Sequence, residues 1–96
     1  MVRVVNTFEY GNNLHLVYVA DRVGDELPLH QHEDRGHLTI CMAGEIEAFF
    51  PDREPIAARP GDAPFEFGIS RLHGIRAKTN GTMFMSVVAS APRHSN

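Results

Sequence analysis

The chain has 96 residues, enough for one hydrophobic core but not for a second domain. Its formal charge of −3 is spread over interspersed acids and bases, and no basic patch is interleaved with aromatic residues, so no nucleic-acid partner is expected. The 43% hydrophobic content excludes gross disorder. The lone cysteine, Cys41, cannot form an intrachain disulfide and lies in an apolar run typical of a buried residue.

The N-terminal half predicts short strands. An edge strand is expected at residues 2–6, a turn at residues 9–13 and a second strand at residues 14–20. Both faces of the second strand are largely apolar, which is typical of a strand covered on two sides and favours a homodimer. The N-terminus has no apolar run long enough for a signal peptide or a membrane span, so we expect a cytoplasmic location and no membrane partner.

Three more strands are predicted at residues 26–32, 38–42 and 46–50, and the charged residues 51–55 then predict a hairpin-like turn. Gly24 is expected to adopt a backbone conformation that other residues resist. Pro28 cannot donate a hydrogen bond to a neighbouring strand, so it predicts an edge position or an irregular pairing.

The C-terminal part also alternates. His73, Ile75 and Ala77 share one face of a predicted strand, and Asn80-Gly81 gives a hairpin signal before a last strand at residues 83–89. No long stretch has the apolar period of a helix, so eight or nine short strands favour an all-β barrel or sandwich. We expect a single domain with a core of about residues 2–89 and a polar tail at residues 90–96.

Four histidines occupy positions that suit a metal site. His30 and His32 are two residues apart, so on a strand their side chains point to the same side. His37 follows the polar run 33–36, which can turn the chain back to the same pocket, and His73 lies on a later strand. Neutral imidazoles are common metal ligands, although a His-x-His pair alone is a weak signal.

The spacing from Gly24 through His30, His32 and His37 to Gly44 resembles the first motif of the cupin superfamily. That family usually has a glutamate at the position of His37. The resemblance covers about residues 24–78 and implies a small β-barrel of the jelly-roll, or double-stranded β-helix, type with a metal ion inside it.

The run Pro60-Gly61-Asp62 resembles the opening of the second cupin motif. The segment then departs from the family pattern: Phe67 replaces a proline, Gly68 comes one position early and His73 comes one residue late. These departures affect the loop that leads to the histidine, and the histidine itself is present.

We therefore expect His30, His32, His37 and His73 to bind one divalent transition-metal ion, with Glu33 as the alternative to His37. Four neutral ligands leave the ion its full charge, so Fe, Ni, Cu, Zn and Mn all remain open; the missing glutamate shifts the expectation toward Fe, Ni, Cu or Zn. A six-coordinate ion would keep two positions for water, dioxygen or a bidentate oxygen ligand.

An apolar barrel interior suits a small-molecule ligand or substrate. The candidates for lining that pocket are Phe49, Phe50, Phe65, Phe67, Met83 and Met85. Weak candidates for proton transfer are Glu47, Glu66 and Tyr18, although a solvated outer face is the better expectation for Glu47.

Three functions remain open. We favour a metal-dependent enzyme, either a dioxygenase-like oxidoreductase or an isomerase or lyase that uses the metal as a Lewis acid. The alternatives are a non-catalytic protein that binds a metal or a small ligand, and a structural barrel whose histidines only hold strands together. Many cupins also pair through their sheets, so the resemblance independently implies a homodimer.

Overall fold

A computed structural model describes residues 1–31, 36–68 and 71–89. These ranges contain nine β-strands and no helix. The strands are β1 (Val2–Tyr10), β2 (Asn13–Ala20), β3 (Glu26–His30), β4 (His37–Ala43), β5 (Ile46–Phe49), β6 (Ile56–Ala58), β7 (Phe65–Phe67), β8 (His73–Ala77) and β9 (Thr82–Ala89). The described part of the chain therefore offers no helix that could cross a membrane.

The strands form two antiparallel sheets. One has five strands in the order β1-β2-β9-β4-β7, and the other has four in the order β3-β8-β5-β6. The chain passes from one sheet to the other at every connection except those between β1 and β2 and between β5 and β6. The predicted small all-β barrel is confirmed by this arrangement.

Side-chain alternation along the strands separates an inner face from an outer one. On β9 the buried residues are Thr82, Phe84, Ser86 and Val88, while the residues between them are partly exposed. β4 alternates in the same way through His37, Thr39 and Cys41. The core cluster consists of Cys41, Ile46, Ala48, Ala58, Phe67, Ile75 and Phe84. Burying a side chain as large as Ile46 or Phe84 stabilises the fold by roughly 1.5–3 kcal/mol.

The N-terminal hairpin differs from its prediction. β1 runs to Tyr10, so the turn is only Gly11 and Asn12 rather than residues 9–13. Both residues have positive φ, +60° and +63°, which is the backbone of a two-residue turn whose twist matches the strands it joins. The predicted edge position is confirmed, because β1 is the outermost strand of its sheet.

The prediction from Pro28 is confirmed on both counts. β3 is an edge strand, and its pairing with β8 shifts register between Leu27 and His30. Gly24 has a φ of +92°, as its expected conformational role requires.

Two features of the C-terminal half were not predicted correctly. Asn80-Gly81 does form a turn, with Gly81 at φ +66°, but the turn joins strands of different sheets and is not a hairpin. The Asn80 side chain instead accepts a hydrogen bond from Val23 N at 2.9 Å, and so holds the turn to the loop before β3. The short strands β6 and β7 were not among the predicted strands. The predicted tail at residues 90–96 lies outside the described residues.

Candidate metal centre

Three of the four predicted histidines lie together. His30 ends β3, His37 begins β4 and His73 begins β8, so two come from one sheet and one from the other. Their candidate ligand nitrogens all lie within 4.8 Å of one another. His73 and His37 are buried, and His30 is half-buried. His32, and the alternative ligand Glu33, lie outside the described residues. The three imidazoles could therefore hold a metal ion.

Backbone carbonyl groups orient two of the rings. The Nδ1 atom of His30 lies 2.8 Å from Pro28 O, and that of His73 lies 2.7 Å from Arg71 O. A carbonyl oxygen only accepts hydrogen bonds, so Nδ1–H is the donor in each contact. In the neutral ring the lone pair is then on Nε2, which would be the ligand atom toward a metal. A hydrogen bond of this kind is the usual support of a metal-binding histidine.

The spacing of the two buried imidazoles matches that of neighbouring ligands on one ion. His73 Nε2 and His37 Nε2 are 3.0 Å apart. His37 and His73 would be neighbouring ligands of a bound ion, since two nitrogens each about 2.1 Å from one ion lie about 3.0–3.4 Å apart. In the neutral metal-free pair, the proton between these atoms belongs to His37, because the proton of His73 is on Nδ1. A bound metal would take the place of that proton.

Phe67 supports the cluster from the side of β7. Its ring lies parallel to that of His73, with centroids 3.8 Å apart and planes inclined by 2°, and its centroid is 5.0 Å from that of His37. Phe67 is itself only 4% exposed. The stack restricts rotation of the His73 ring, so the aromatic core helps to fix the direction of a potential ligand.

A cavity of about 220 Å³ lies beside the three histidines. It is lined by Leu16, Tyr18, Leu27, His30, His37, Thr39, His73, Ile75, Ser86 and Val88. Its polar groups other than the histidines are the Tyr18 phenol and the hydroxyls of Thr39 and Ser86, which are 3.1 Å apart. Burial raises the pKa of Tyr18, so its phenol is neutral near pH 7 and can donate a hydrogen bond.

The structure places the six predicted pocket residues elsewhere than along this cavity: Phe49, Phe50, Phe65, Phe67, Met83 and Met85. Strand alternation is the physical reason on β9, where Met83 and Met85 point away from the face that carries Phe84 and Ser86. The phenylalanines make other contacts.

Phe50 and Phe65 pack against the core cluster, and the Phe49 ring lies 4.3 Å from the Arg76 guanidinium. Apolar character alone does not predict which face of a strand such a side chain points to. The lining residues Thr39 and Ser86 were missed, although Thr39 lies two residues after His37, and this spacing on a strand is the signal that would have found it.

The three candidates for proton transfer lie in different places. Tyr18 borders the cavity. Glu47 does not; it accepts a hydrogen bond from Arg76 Nη1 at 2.9 Å and lies 3.7 Å from Lys78 Nζ, so it belongs to a charge cluster away from the cavity. Glu66 is exposed on β7, between two inward residues. No carboxylate occurs among the described residues that line the cavity.

No family model and no curated protein matches the sequence. Solved structures do match. An RmlC-like cupin protein from Desulfovibrio desulfuricans is 26% identical, with a TM-score of 0.74 over 94% of this chain and 81% of the other. KdgF from Halomonas sp. is 22% identical, with a TM-score of 0.75 over 97% of this chain and 80% of the other.

A conserved protein with a double-stranded β-helix domain from Klebsiella pneumoniae is 21% identical, with a TM-score of 0.78 over 93% of this chain and 72% of the other. Together with the two antiparallel sheets, these likenesses define the class of protein: the chain has the cupin fold. The resemblance predicted from the sequence is thereby confirmed. The assignment of His37 to the family's glutamate position stays a prediction.

Proposed function

We propose that the protein is a metal-dependent enzyme that binds one divalent transition-metal ion through His30, His37 and His73, with His32 as a fourth ligand. The observation that carries the proposal is the set of imidazole nitrogens within 4.8 Å of one another at the wall of a largely apolar cavity. When bound, such an ion supplies a Lewis-acid or redox centre to a small organic molecule in the cavity. Fe, Ni, Cu, Zn and Mn are all candidates.

The chain's own residues divide the remaining work. The carbonyls of Pro28 and Arg71 hold the rings of His30 and His73 in the required tautomer. The apolar side chains of Leu27 and Ile75 keep water from one wall of the cavity. The neutral Tyr18 phenol donates a hydrogen bond to substrate oxygen. The reaction is of the dioxygenase type, or an isomerase or lyase reaction on the same class of molecule.

A second function, non-catalytic binding of a metal or a small ligand, is favoured by one observation. The described lining of the cavity has no carboxylate that would serve as a general base near neutral pH. Under this alternative the same histidines bind the ion, and the cavity accepts a ligand without turnover.

The deciding experiment is elemental analysis of untagged protein, followed by oxygen-uptake and product assays on each metal form. The substrates are a panel of diketones, catechols and short organic acids. We expect His30→Ala to abolish both metal binding and turnover, whereas Glu47→Gln leaves metal occupancy intact because Glu47 is not at the cavity. Stoichiometric metal without turnover of any substrate would move the conclusion to the binding protein.

We also propose that the protein is a homodimer, paired through the sheet that ends in β1. The support is that this edge strand exposes four large apolar side chains: Val4, Val5, Phe8 and Tyr10. Light scattering at micromolar concentration should give a mass near twice 10.7 kDa, and a mass near 10.7 kDa would contradict the proposal. The cytoplasmic location stays a prediction.

A further inference from the structure

The register of the strands orders the cavity into successive layers. In the five-stranded sheet, Val88 pairs with His37, and two residues along the strands Ser86 pairs with both Thr39 and Leu16. In the four-stranded sheet, His30 pairs with His73, and the next inward pair is Leu27 and Ile75. One layer therefore holds the three histidines, and the next layer holds a hydroxyl pair on one wall and an apolar pair on the other.

The hydroxyl pair is a built polar feature in an otherwise apolar layer. Thr39 and Ser86 are 1% and 7% exposed, and their oxygens are 3.1 Å apart. Each hydroxyl can donate once and accept twice, so their mutual bond uses only one of the two protons. The pair therefore retains one donor and several lone pairs for a third group. Leu27 and Ile75 line the opposing sheet and offer no such partner.

The spacing between the layers limits the length of the ligand. Two residues of strand span about 6.6 Å, which corresponds to about four to six carbon–carbon or carbon–oxygen bonds. The cavity volume of about 220 Å³ limits its size, since an engineered cavity of about 150 Å³ holds benzene. A ligand of about one ring, or a chain of similar volume, fills the space.

Charge limits the ligand further. Imidazole ligands are neutral, so a divalent ion at the histidines would keep its charge of +2 for a carboxylate bound directly to it. The described lining residues include no lysine or arginine, so among them a second carboxylate at the hydroxyl layer would find no counter-ion in direct contact. Such burial is strongly unfavourable, whereas an uncharged hydroxyl or carbonyl would be satisfied by Thr39 and Ser86.

We infer that the cavity selects a small organic acid or ketone with one metal-binding head and one uncharged hydroxyl or carbonyl group about four to six bonds away, bound by Thr39 and Ser86. This inference rests on the proposed function, because the head needs the metal. It adds to that function the class of substrate and two positioning residues that are not metal ligands.

Three probes with the same head test the inference: 2-oxopentanoate, 5-hydroxy-2-oxopentanoate and 2-oxopentanedioate. They differ only at the last carbon, which is a methyl, a hydroxymethyl or a carboxylate group. Their dissociation constants are measured by calorimetry on protein loaded with Zn²⁺, which is redox-inert and so binds the probes without oxidising them. The hydroxyl compound should bind about tenfold more tightly than the methyl compound, and the dicarboxylate should bind more weakly than the hydroxyl compound.

The double variant Thr39→Val with Ser86→Ala should keep its zinc and lose the preference for the hydroxyl compound. Removing both partners leaves no unpaired hydroxyl, so the fold should tolerate the change. Thr39→Ser keeps the hydroxyl and should keep the preference. Any of four results would overturn the inference. The methyl and hydroxyl compounds could bind equally, or the dicarboxylate could bind most tightly. The zinc form could bind none of the probes, or the preference could survive in the double variant. If wild-type protein binds no metal, the proposed function fails as well.

Discussion

Replacing Phe67 by leucine separates two roles of one side chain. The Phe67 ring belongs to the core cluster and also lies parallel to His73 at 3.8 Å. An aromatic stack contributes about 0.5–1.5 kcal/mol beyond its buried area, and a near-volume apolar swap in a core usually costs less than about 1.5 kcal/mol. Phe67→Leu should therefore lower the free energy of unfolding by about 1–2 kcal/mol and leave the fold intact.

The effect on metal affinity follows from the same contact. Without the stack the His73 ring has more rotational freedom, and binding a metal must then restrict it. If metal binding must supply the about 0.5–1.5 kcal/mol that stacking contributed to orienting the His73 ring, the dissociation constant of the metal rises about two- to tenfold. Urea unfolding of the metal-free protein measures the stability, and competition of zinc against a chelating dye measures the affinity.

Phe65→Leu is the matched control. Phe65 is on the same strand and packs against the same cluster, with its ring centroid 6.1 Å from that of Phe67, but it pairs with Thr39 rather than with His37. It should lower stability without changing zinc affinity. If Phe67→Leu leaves the affinity unchanged, or if both variants weaken it equally, the idea that Phe67 orients His73 is refuted.

The remaining predictions concern a turn, a phenol and the metal. An added Cβ at Gly44, where φ is +77°, would clash with Thr79 Oγ1. Gly44→Ala should therefore lower the free energy of unfolding, measured by urea denaturation, by about 2 kcal/mol or more. Gly11→Ala, at φ +60° with open space around it, should cost only about 1–2 kcal/mol, and an equal loss would contradict the steric argument. The raised pKa of Tyr18 gives stability that is complete below the unfolded-state value of about 10 and is lost as pH rises through the higher folded value. In Tyr18→Phe the urea concentration at the unfolding midpoint should therefore fall less at alkaline pH than in the wild type. The same dependence of the midpoint on pH in both proteins would argue against this. Chelation should lower the melting temperature by about 10–20 °C relative to protein with metal at about a hundred times its dissociation constant, and an unchanged melting curve after verified removal would contradict this.

The fold could be predicted from the sequence largely because turn residues and strand alternation are local signals. Pro28 predicted its own edge position, since a missing N–H excludes a central one. The Asn80-Gly81 turn shows that a local signal can predict a turn but not which strands pair across it. Its positive φ is encoded locally, but whether the next strand pairs with the previous one depends on the distant strands β2 and β4, which pair with β9. The strands β6 and β7 are each three residues long and were too short to give a periodic signal.

The candidate site was also predicted only in part from the sequence. The shared strand face of His30 and His32, together with the resemblance to the cupin motifs, grouped His30, His37 and His73 in the prediction, and each of the three lies at a strand end. The cavity lining was not predictable from apolar character, since the polar Ser86 lines the cavity whereas the apolar Met83 and Met85, which point to the other face of the same strand, do not. Glu47 was expected on the outer face, and its partners Arg76 and Lys78 lie there with it.

X-ray absorption spectroscopy of the zinc-loaded protein tests the central claim most directly, because it counts the imidazole ligands of the ion. Three or four imidazole nitrogens at about 2.0–2.1 Å are expected in the wild type, and one fewer in His73→Ala, with a weaker dissociation constant. A coordination sphere without imidazole, or one that His73→Ala leaves unchanged, would contradict a metal centre built on His30, His37 and His73.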